Sequence, residues 1–217
     1  MNSAPIKYLG LLKKNNKREW FKENKTDYEE ARKVFEHFVI SLIKEISFFE
    51  KKISGLEAKN TIFRIYRDVR FSKDKTPYKT SFGSYIAQGG RKSVFAGYYL
   101  HIEPGASFLA GGMHSPSSEN LAKIRQEILY NVDEYKSIIN GKEFRNNFET
   151  LKGEKLKRPP KGFPADFPDI ELLKNKDFIV IHNITDSQVL KDDFLNYANK
   201  LFKKMKPLND FLNKSLD

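Results

Sequence analysis

Turn residues divide the segment 61–113 into short apolar stretches, and this division constrains the fold more than any other feature of the chain. Gly89-Gly90 and Pro104-Gly105 are both turn signals, and the sequence around them is rich in aliphatic and aromatic residues. Consecutive strands that are joined by short turns pair in the antiparallel direction. The segment therefore predicts an antiparallel β-sheet.

The clearest strand of this sheet is predicted at residues 97–103. Successive side chains of a strand point to opposite faces of the sheet. The pattern places two sets of residues on opposite faces: Tyr98, Leu100 and Ile102 on one, and Tyr99, His101 and Glu103 on the other.

Helical periodicity surrounds the sheet. Apolar residues recur at steps of three and four from 27 to 49, which predicts a long amphipathic helix. Ser115-Pro116 reads as the start of another helix, and Pro207 is expected to end or kink the last one. Residues 178–182 predict a further buried strand. The predicted fold class is α+β, an antiparallel β-sheet flanked by a long N-terminal helix and C-terminal helices, in a single globular domain of residues 1–217.

The chain has 217 residues and a formal net charge of +11, which favours anionic partners such as phosphates or nucleic acid. Lysines spread along helices also serve solubility, so the charge alone does not assign a function. The absence of cysteine excludes disulfides, thiolate metal sites and a cysteine nucleophile. The sequence shows neither a signal peptide nor a membrane span, and we predict a cytoplasmic protein without a membrane partner.

The segment 61–86 concentrates charged residues between apolar anchors and is the candidate site of the chain. If it is extended, Arg64, Asp68 and Arg70 lie on one face and Arg67 on the other. Asp68 can accept paired hydrogen bonds from Arg64 or Arg70, because a guanidinium matches the geometry of a carboxylate. Two interpretations follow. The arginines either brace the sheet as a salt-bridge network, or bind a phosphate or carboxylate while Asp68 orients them.

The loop that follows supplies further candidates. Its lysines add point charges, and the hydroxyl of Tyr78 offers a hydrogen bond or a proton. The sequence has no glycine-rich phosphate loop before a helix. The predicted ligand-binding residues are Arg64, Arg67, Arg70, Lys73, Lys75 and Lys79, and the candidate catalytic residues are Asp68, Tyr78 and His101.

One arrangement of histidines suits a metal site with two histidines and one carboxylate, namely His101 and Glu103 with His114. His101 and Glu103 share a strand face, but the expected hairpin register places His114 out of reach. A polar patch at a strand end is the commoner explanation, so we assign no metal ligands. His182 lies in an apolar strand and is predicted to be a core histidine.

The central motif resembles a bacterial, partly fungal family known as domain of unknown function 2461. Its hallmark is an Arg-x-x-Arg-Asp-x-Arg-Phe run followed by Asp-Lys-x-x-Tyr, which corresponds to Arg64–Phe71 and Asp74–Tyr78. The likeness extends to Trp20-Phe21, to residues 97–105 and to residues 156–163, and covers nearly the whole chain. The resemblance implies a free-standing domain, but no particular activity, cofactor or catalytic residue.

Three functions are compatible with the sequence. The first is an enzyme or binding protein for a small anionic ligand, such as a phosphorylated one, with proton transfer by Tyr78 or His101. The second is a nucleic-acid-binding module that uses the basic loops 73–79 and 155–161, with Tyr98 and Tyr99 stacking on bases. The third is an interaction domain whose Arg–Asp network is purely structural. The exposure of the arginines and aromatic rings separates these alternatives, and we favour the first.

Overall fold

A computed structural model of the chain describes residues 1–148 and 151–216. Short 3₁₀ turns occupy Lys51–Ile53, Ala58–Asn60 and Gly90–Lys92. The helices and strands are, in chain order, α1 (Ala4–Lys14), α2 (Arg18–Glu23), α3 (Lys25–Ser47), β1 (Phe82–Ile86), β2 (Gly97–Ile102), β3 (Phe108–Met113), α4 (Ser118–Tyr130), α5 (Val132–Asn140), α6 (Lys142–Asn147), α7 (Ile170–Leu173), β4 (Phe178–Asn183), α8 (Asp186–Val189) and α9 (Phe194–Lys214).

The four strands form one antiparallel sheet in the order β1-β2-β3-β4, which confirms the predicted α+β class. The predicted alternation in β2 is also confirmed, because Tyr98, Leu100 and Ile102 are buried while Tyr99 and His101 are partly exposed. None of the helices in the described ranges is long and apolar enough to cross a membrane.

The chain divides into two compact units. The first comprises residues 1–92, 99–109 and 183–200, and the second comprises residues 93–98, 110–148, 151–182 and 201–216. The single-domain organisation that the sequence suggested stays a prediction.

The core of the first unit is built on α3, the helix that apolar periodicity predicted. Its buried face includes Ala31, Phe35, Phe38 and Leu42. The Phe35 ring packs on Phe82 of β1 with ring centroids 5.4 Å apart, and the Phe38 ring stacks on Phe194 at 5.0 Å. Burying side chains of this size contributes about 1.5–3 kcal/mol each, so the helix position follows from its apolar stripe.

The sequence predicted an antiparallel sheet that includes the segment 61–86, but only Phe82–Ile86 of this segment forms a regular strand. Residues 62 and 66 pair with residues 84 and 78 through isolated antiparallel bridges instead of a continuous ladder. The Arg67 N–H donates to the carbonyl of Pro77, but Pro77 has no N–H with which to return a bond. Pairing therefore does not continue beyond Tyr66 and Tyr78. Between the two bridges the register shifts by two residues, so no regular strand forms before β1.

The structure corrects one predicted helix start and shows that Pro207 does not end the last helix. Helix α4 begins at Ser118, and its N-cap is Ser117, whose hydroxyl accepts from the N–H of Asn120, so the Ser115-Pro116 start was wrong. Helix α9 continues through Pro207 to Lys214. Its last turns are held in place because the Asn213 side chain bonds both backbone groups of Ala96.

Tyr98 was a candidate for base stacking in the nucleic-acid interpretation. The side chain is buried, and its ring packs against Phe202 of α9 with centroids 5.3 Å apart. A buried ring cannot stack on a nucleobase, so this part of the interpretation was wrong.

Candidate functional site

The loop that follows Tyr66 is held together by Arg67. Its Nη1 donates to the Asp74 carboxylate at 2.5 Å, to the carbonyl of Thr76 at 3.1 Å, and to the Thr76 hydroxyl. The backbone N–H and the hydroxyl of Thr76 also bond Asp74 and, with Arg67, lower its pKa to about 2. The Arg67 side chain is only 24% exposed, so its guanidinium is engaged within the loop.

Asp68 and Arg70 form a two-point ion pair at the surface. Arg70 donates through Nε at 3.0 Å and through Nη2 at 2.6 Å, which lowers the pKa of Asp68 and raises that of Arg70. The predicted pairing of Asp68 with Arg70 is confirmed. Asp68 therefore orients Arg70, whereas Arg67 is oriented by a different carboxylate.

The lysines of this loop differ in their surroundings. Lys75 closes the loop, because its Nζ donates to the carbonyls of Val69 at 3.0 Å and Arg70 at 3.4 Å. Lys73 is exposed and makes no hydrogen bond or ion pair in the ranges that the structure describes. At the loop tip Phe71 is 97% exposed, and the Arg70 guanidinium lies 5.9 Å from its ring centroid.

Tyr78, a candidate proton donor, is a buried packing residue. Its ring stacks on Phe21 with centroids 4.0 Å apart, and the Asn16 side chain bonds its backbone N–H and carbonyl. Burial, followed by the nearby Tyr66, raises the pKa of Tyr78. The hydroxyl therefore stays protonated at neutral pH, and a catalytic role for it stays a prediction.

A hydrogen-bonded relay runs along the partly exposed face of β2 and consists of Tyr99, His101 and Glu103. The Tyr99 hydroxyl lies 3.1 Å from His101 Nδ1, and His101 Nε2 lies 3.1 Å from the Glu103 carboxylate. Because an ionised carboxylate only accepts, Nε2 carries a hydrogen and Nδ1 accepts from Tyr99. The Thr80 hydroxyl donates to the other oxygen of Glu103 at 2.7 Å.

The surroundings of the relay set its protonation states. Burial alone would raise the pKa of Glu103, but hydrogen bonds from Thr80 and His101 outweigh it and leave that pKa below its usual value. Burial, with the charge of Glu103, raises the pKa of Tyr99 to about 12. At neutral pH the relay therefore joins a carboxylate, an imidazole and a protonated phenol, groups that serve general acid–base catalysis.

Close packing fixes the relay in position. A Cβ at Gly83 would lie 2.5 Å from the Tyr99 hydroxyl oxygen, so a larger residue there would displace that ring from its position in the relay. His101 stacks on Phe108 with centroids 4.5 Å apart, and Phe63 meets Tyr99 edge-on at 6.2 Å. The relay thus lies over a glycine of β1 between aromatic neighbours.

Two cations lie close to this packing. The Lys79 Nζ is 5.3 Å from the centroid of Phe63, the same ring that contacts Tyr99. Burial, followed by the charge of Arg64, lowers the pKa of Lys79. Neither Lys79 nor Arg64 forms an ion pair within the described part of the chain. The carboxylate of Asp68 is bonded to Arg70, whose hydrogen bonds lower the pKa of Asp68 more than the charge of Arg64 does.

The histidine–carboxylate metal site considered from the sequence does not assemble. His114 pairs with Asp177, with Nδ1 and Oδ1 2.9 Å apart, whereas His101 and Glu103 belong to the relay. Within residues 1–148 and 151–216, no group of three His, Cys, Asp or Glu side chains is placed to hold a metal ion.

Comparison with known proteins gives one match. A family model described as "Conserved hypothetical protein (DUF2461)" matches residues 4–211. The chain belongs to DUF2461. No curated protein and no solved structure matches it.

The DUF2461 motif in this chain acts largely as a loop scaffold, since Arg67, Asp74 and Lys75 bond within the loop. Sequence reasoning named His101 but missed that Tyr99 and Thr80 complete its hydrogen-bonded relay. The signal for Tyr99 was present, because strand alternation placed it on the same face as His101. Thr80 had no such signal, because its contact with Glu103 spans 23 residues.

Because the pKa of Glu103 is lowered in the folded protein, the stability of the fold should depend on pH in the acid range. A carboxyl whose pKa is depressed by folding stabilises the fold above its unfolded pKa of about 4.3, and this contribution is lost as pH falls. We expect Glu103→Gln to lower the free energy of unfolding at pH 7. The difference in this free energy between variant and parent should shrink as the pH falls from about 5 to about 3. Urea unfolding across this pH range measures the difference. The exposed Glu119→Gln is the control, and a Glu103→Gln difference that does not depend on pH would contradict the assignment.

Proposed function

We propose that this DUF2461 protein binds a small anionic ligand at Arg64 and Lys79, next to the Tyr99–His101–Glu103 relay. The observation that carries the proposal is that burial, followed by the charge of Arg64, lowers the pKa of Lys79, while neither side chain has a carboxylate partner in the residues described. Neighbouring cations repel, and a phosphate or carboxylate between them removes that repulsion. The proposed ligand-binding role thereby narrows from the six residues predicted from the sequence to Arg64 and Lys79.

The relay gives this site a means of proton transfer. His101 can take a proton at Nδ1, and the Glu103 carboxylate on the other nitrogen stabilises the imidazolium that forms. Tyr99, with its raised pKa, is a donor at neutral pH. These groups support an acid–base step on the bound anion, with His101 as the base and Tyr99 as the hydroxyl between base and ligand.

The proposal predicts an anion-dependent rise in melting temperature. Phosphate or sulfate should stabilise the parent, by about 2.7 kcal/mol at one hundred times the dissociation constant. Lys79→Gln and Arg64→Gln should each abolish this rise, because each removes half of the cation pair. Differential scanning fluorimetry at constant ionic strength, with chloride as the reference salt, measures the effect.

Lys73→Gln is the matched control, because it removes one exposed positive charge from the neighbouring loop and should keep the response. A parent that shows no phosphate effect would contradict the proposal, and so would an equal loss in Lys73→Gln. The exposed Phe71 beside Arg70 favours nucleic acid as a second candidate. Tight binding of a random oligonucleotide that weakens steeply with salt, without a phosphate effect, would decide for that candidate.

A further inference from the structure

A second histidine–carboxylate pair lies directly after the end of β3. His114 Nδ1 is 2.9 Å from Oδ1 of Asp177, the residue that precedes β4. The Asp177 side chain is only 11% exposed, and the same oxygen accepts the backbone N–H of Ser115 at 2.7 Å. Asp177 therefore fixes both the imidazole and the backbone of the next residue.

The tautomer of His114 follows from this contact. Asp177 accepts the hydrogen on Nδ1, which leaves Nε2 with a free lone pair. The Ser115 hydroxyl oxygen lies 3.4 Å from that Nε2. The order carboxylate, imidazole and hydroxyl is the one by which a serine nucleophile is activated in hydrolases of unrelated folds.

The backbone at Ser115 is strained. Its φ is 49°, and Ser115 is the only residue besides glycine with positive φ in the described ranges. A conformation of this kind costs about 1–3 kcal/mol in a residue other than glycine and clusters at functional sites. A nucleophilic serine on a strained turn between a strand and a helix is also the arrangement of α/β-hydrolases, and here β3 precedes Ser115 and α4 follows it.

We propose that Ser115 is a catalytic nucleophile for carboxylic esters, with His114 as its general base and Asp177 as the residue that positions His114. Both Ser115 and His114 are exposed, the latter to 75%, so a substrate reaches them without entering a closed cavity. Helix α4 begins three residues later, and the N-terminal N–H groups of this 13-residue helix favour a developing oxyanion. This activity is separate from anion binding at Arg64 and Lys79.

The reaction balances with water as the only co-reactant. The Ser115 oxygen bonds to the ester carbonyl carbon while its proton passes to His114 Nε2. The carbon–oxygen bond to the alcohol then breaks, and the alcohol leaves with that proton. Water attacks the acyl-serine and gives a proton to Nε2. The carboxylic acid departs as the proton returns to the Ser115 oxygen.

The test is covalent labelling of the full chain with a fluorophosphonate, followed by peptide mass spectrometry, together with hydrolysis of 4-nitrophenyl acetate. Ser115 should carry the label, and Ser115→Ala should abolish both labelling at this site and hydrolysis. His114→Ala should slow labelling of Ser115 by at least about a hundredfold, the usual worth of a general base, and added imidazole should restore part of the rate. Ser137 is an exposed serine on α5 whose hydroxyl donates to the carbonyl of Glu134, and Ser137→Ala should label at Ser115 as the parent does.

Asp177 has its own readout. Nitrogen-15 NMR of the imidazole should show His114 as the Nδ1–H tautomer in the parent, and Asp177→Asn should lose this preference and slow labelling. Melting temperatures separate loss of chemistry from loss of fold in every variant. Absence of label on Ser115 in the folded parent would overturn the proposal. Labelling that proceeds equally fast in folded His114→Ala would overturn it as well.

Discussion

Gly112→Ala is expected to be the most destabilising single substitution in the sheet. Gly112 has a φ of 112°, and a Cβ at this position would lie 1.9 Å from the carbonyl oxygen of Phe178. The same Cβ would lie 2.9 Å from the Phe178 carbonyl carbon and 3.0 Å from the Cα of Ile179. All three are backbone atoms of β4 and cannot rotate away, so β3 and β4 would have to separate.

Two costs add in this variant. The positive φ costs about 1–3 kcal/mol for a residue with a side chain, and overpacking costs about 1–3 kcal/mol more. We expect a loss of about 2–6 kcal/mol, which at its upper end is among the largest for a point substitution. Chemical denaturation measures the free energy of unfolding, or the absence of a folded state.

Gly89→Ala is the matched control for this prediction. Gly89 has a φ of 84°, and a Cβ there would meet no atom within 4 Å. This variant isolates the backbone cost without the clash and should lose clearly less stability. Equal losses in the two variants would show that conformation alone, and not the approach of Phe178, requires glycine at position 112.

Regular elements of the fold were predictable because their signal is periodic and local. Helix α3 carries an apolar residue at nearly every third or fourth position over six turns, and its observed range differs from the predicted one by two residues at each end. The alternation in β2 gave the correct face for Tyr98 and His101. Both patterns arise because apolar side chains are buried on one face of an element. Burial is the dominant favourable term in folding, so the spacing of apolar residues along the chain predicts the element.

The arrangement of the charged loop was less predictable, because it depends on rotamers and not on periodicity. An ideal strand places Arg67 opposite Asp68, but it does not reveal that Arg67 reaches Asp74 and Thr76 seven and nine residues later. The segment also makes only isolated bridges, so the regular strand from which the facing of these side chains was predicted does not form. Arg67 was consequently assigned to a ligand, whereas its closest contacts in the structure are within its own loop.

The contacts of His101 and His114 were also not predictable from the spacing of residues in the sequence. His101 was singled out for its residue type, but its contact with Tyr99 forms where Gly83 leaves room for the Tyr99 ring, and Thr80 joins the relay only through Glu103. His114 was tried as a partner for His101, although its carboxylate lies 63 positions later at Asp177. A pairing of that separation leaves no trace in spacing, and it forms only because β3 and β4 are neighbours in the sheet.

Arg125 lies on α4, the helix that follows Ser115, and its side chain forms hydrogen bonds with the segment that precedes Asp177. Its side chain is buried, and 8% of the residue is exposed. Nε donates to the carbonyl of Leu173 at 2.7 Å, and Nη2 donates to the carbonyl of Asn175 at 3.1 Å. Burial lowers the pKa of the guanidinium without removing its charge. The arginine thus satisfies two carbonyl groups two to four residues ahead of Asp177.

We expect Arg125→Met to cost about 2–4 kcal/mol, because each buried carbonyl left without a donor costs about 1–3 kcal/mol. The methionine keeps most of the buried aliphatic length, so the loss reports on hydrogen bonds more than on packing. Arg125→Lys should recover only part of the stability, since one ammonium group does not reproduce the planar fork. Urea denaturation measures these differences, and Lys123→Met, which removes an exposed charge from the same helix, should stay within about 0.5 kcal/mol of the parent.

Arg125→Met also tests whether the contacts of Arg125 affect the proposed reaction of Ser115. Without Arg125, the segment 173–175 loses two hydrogen bonds to α4, and Asp177 should hold His114 less firmly. Fluorophosphonate labelling of Ser115 should therefore slow in Arg125→Met under conditions where the protein is still folded, and should be unchanged in Lys123→Met. A variant as stable as the parent would contradict the role of the two carbonyl contacts. A destabilised but folded variant that labels at the parent rate would instead show that Asp177 is positioned by β4 alone.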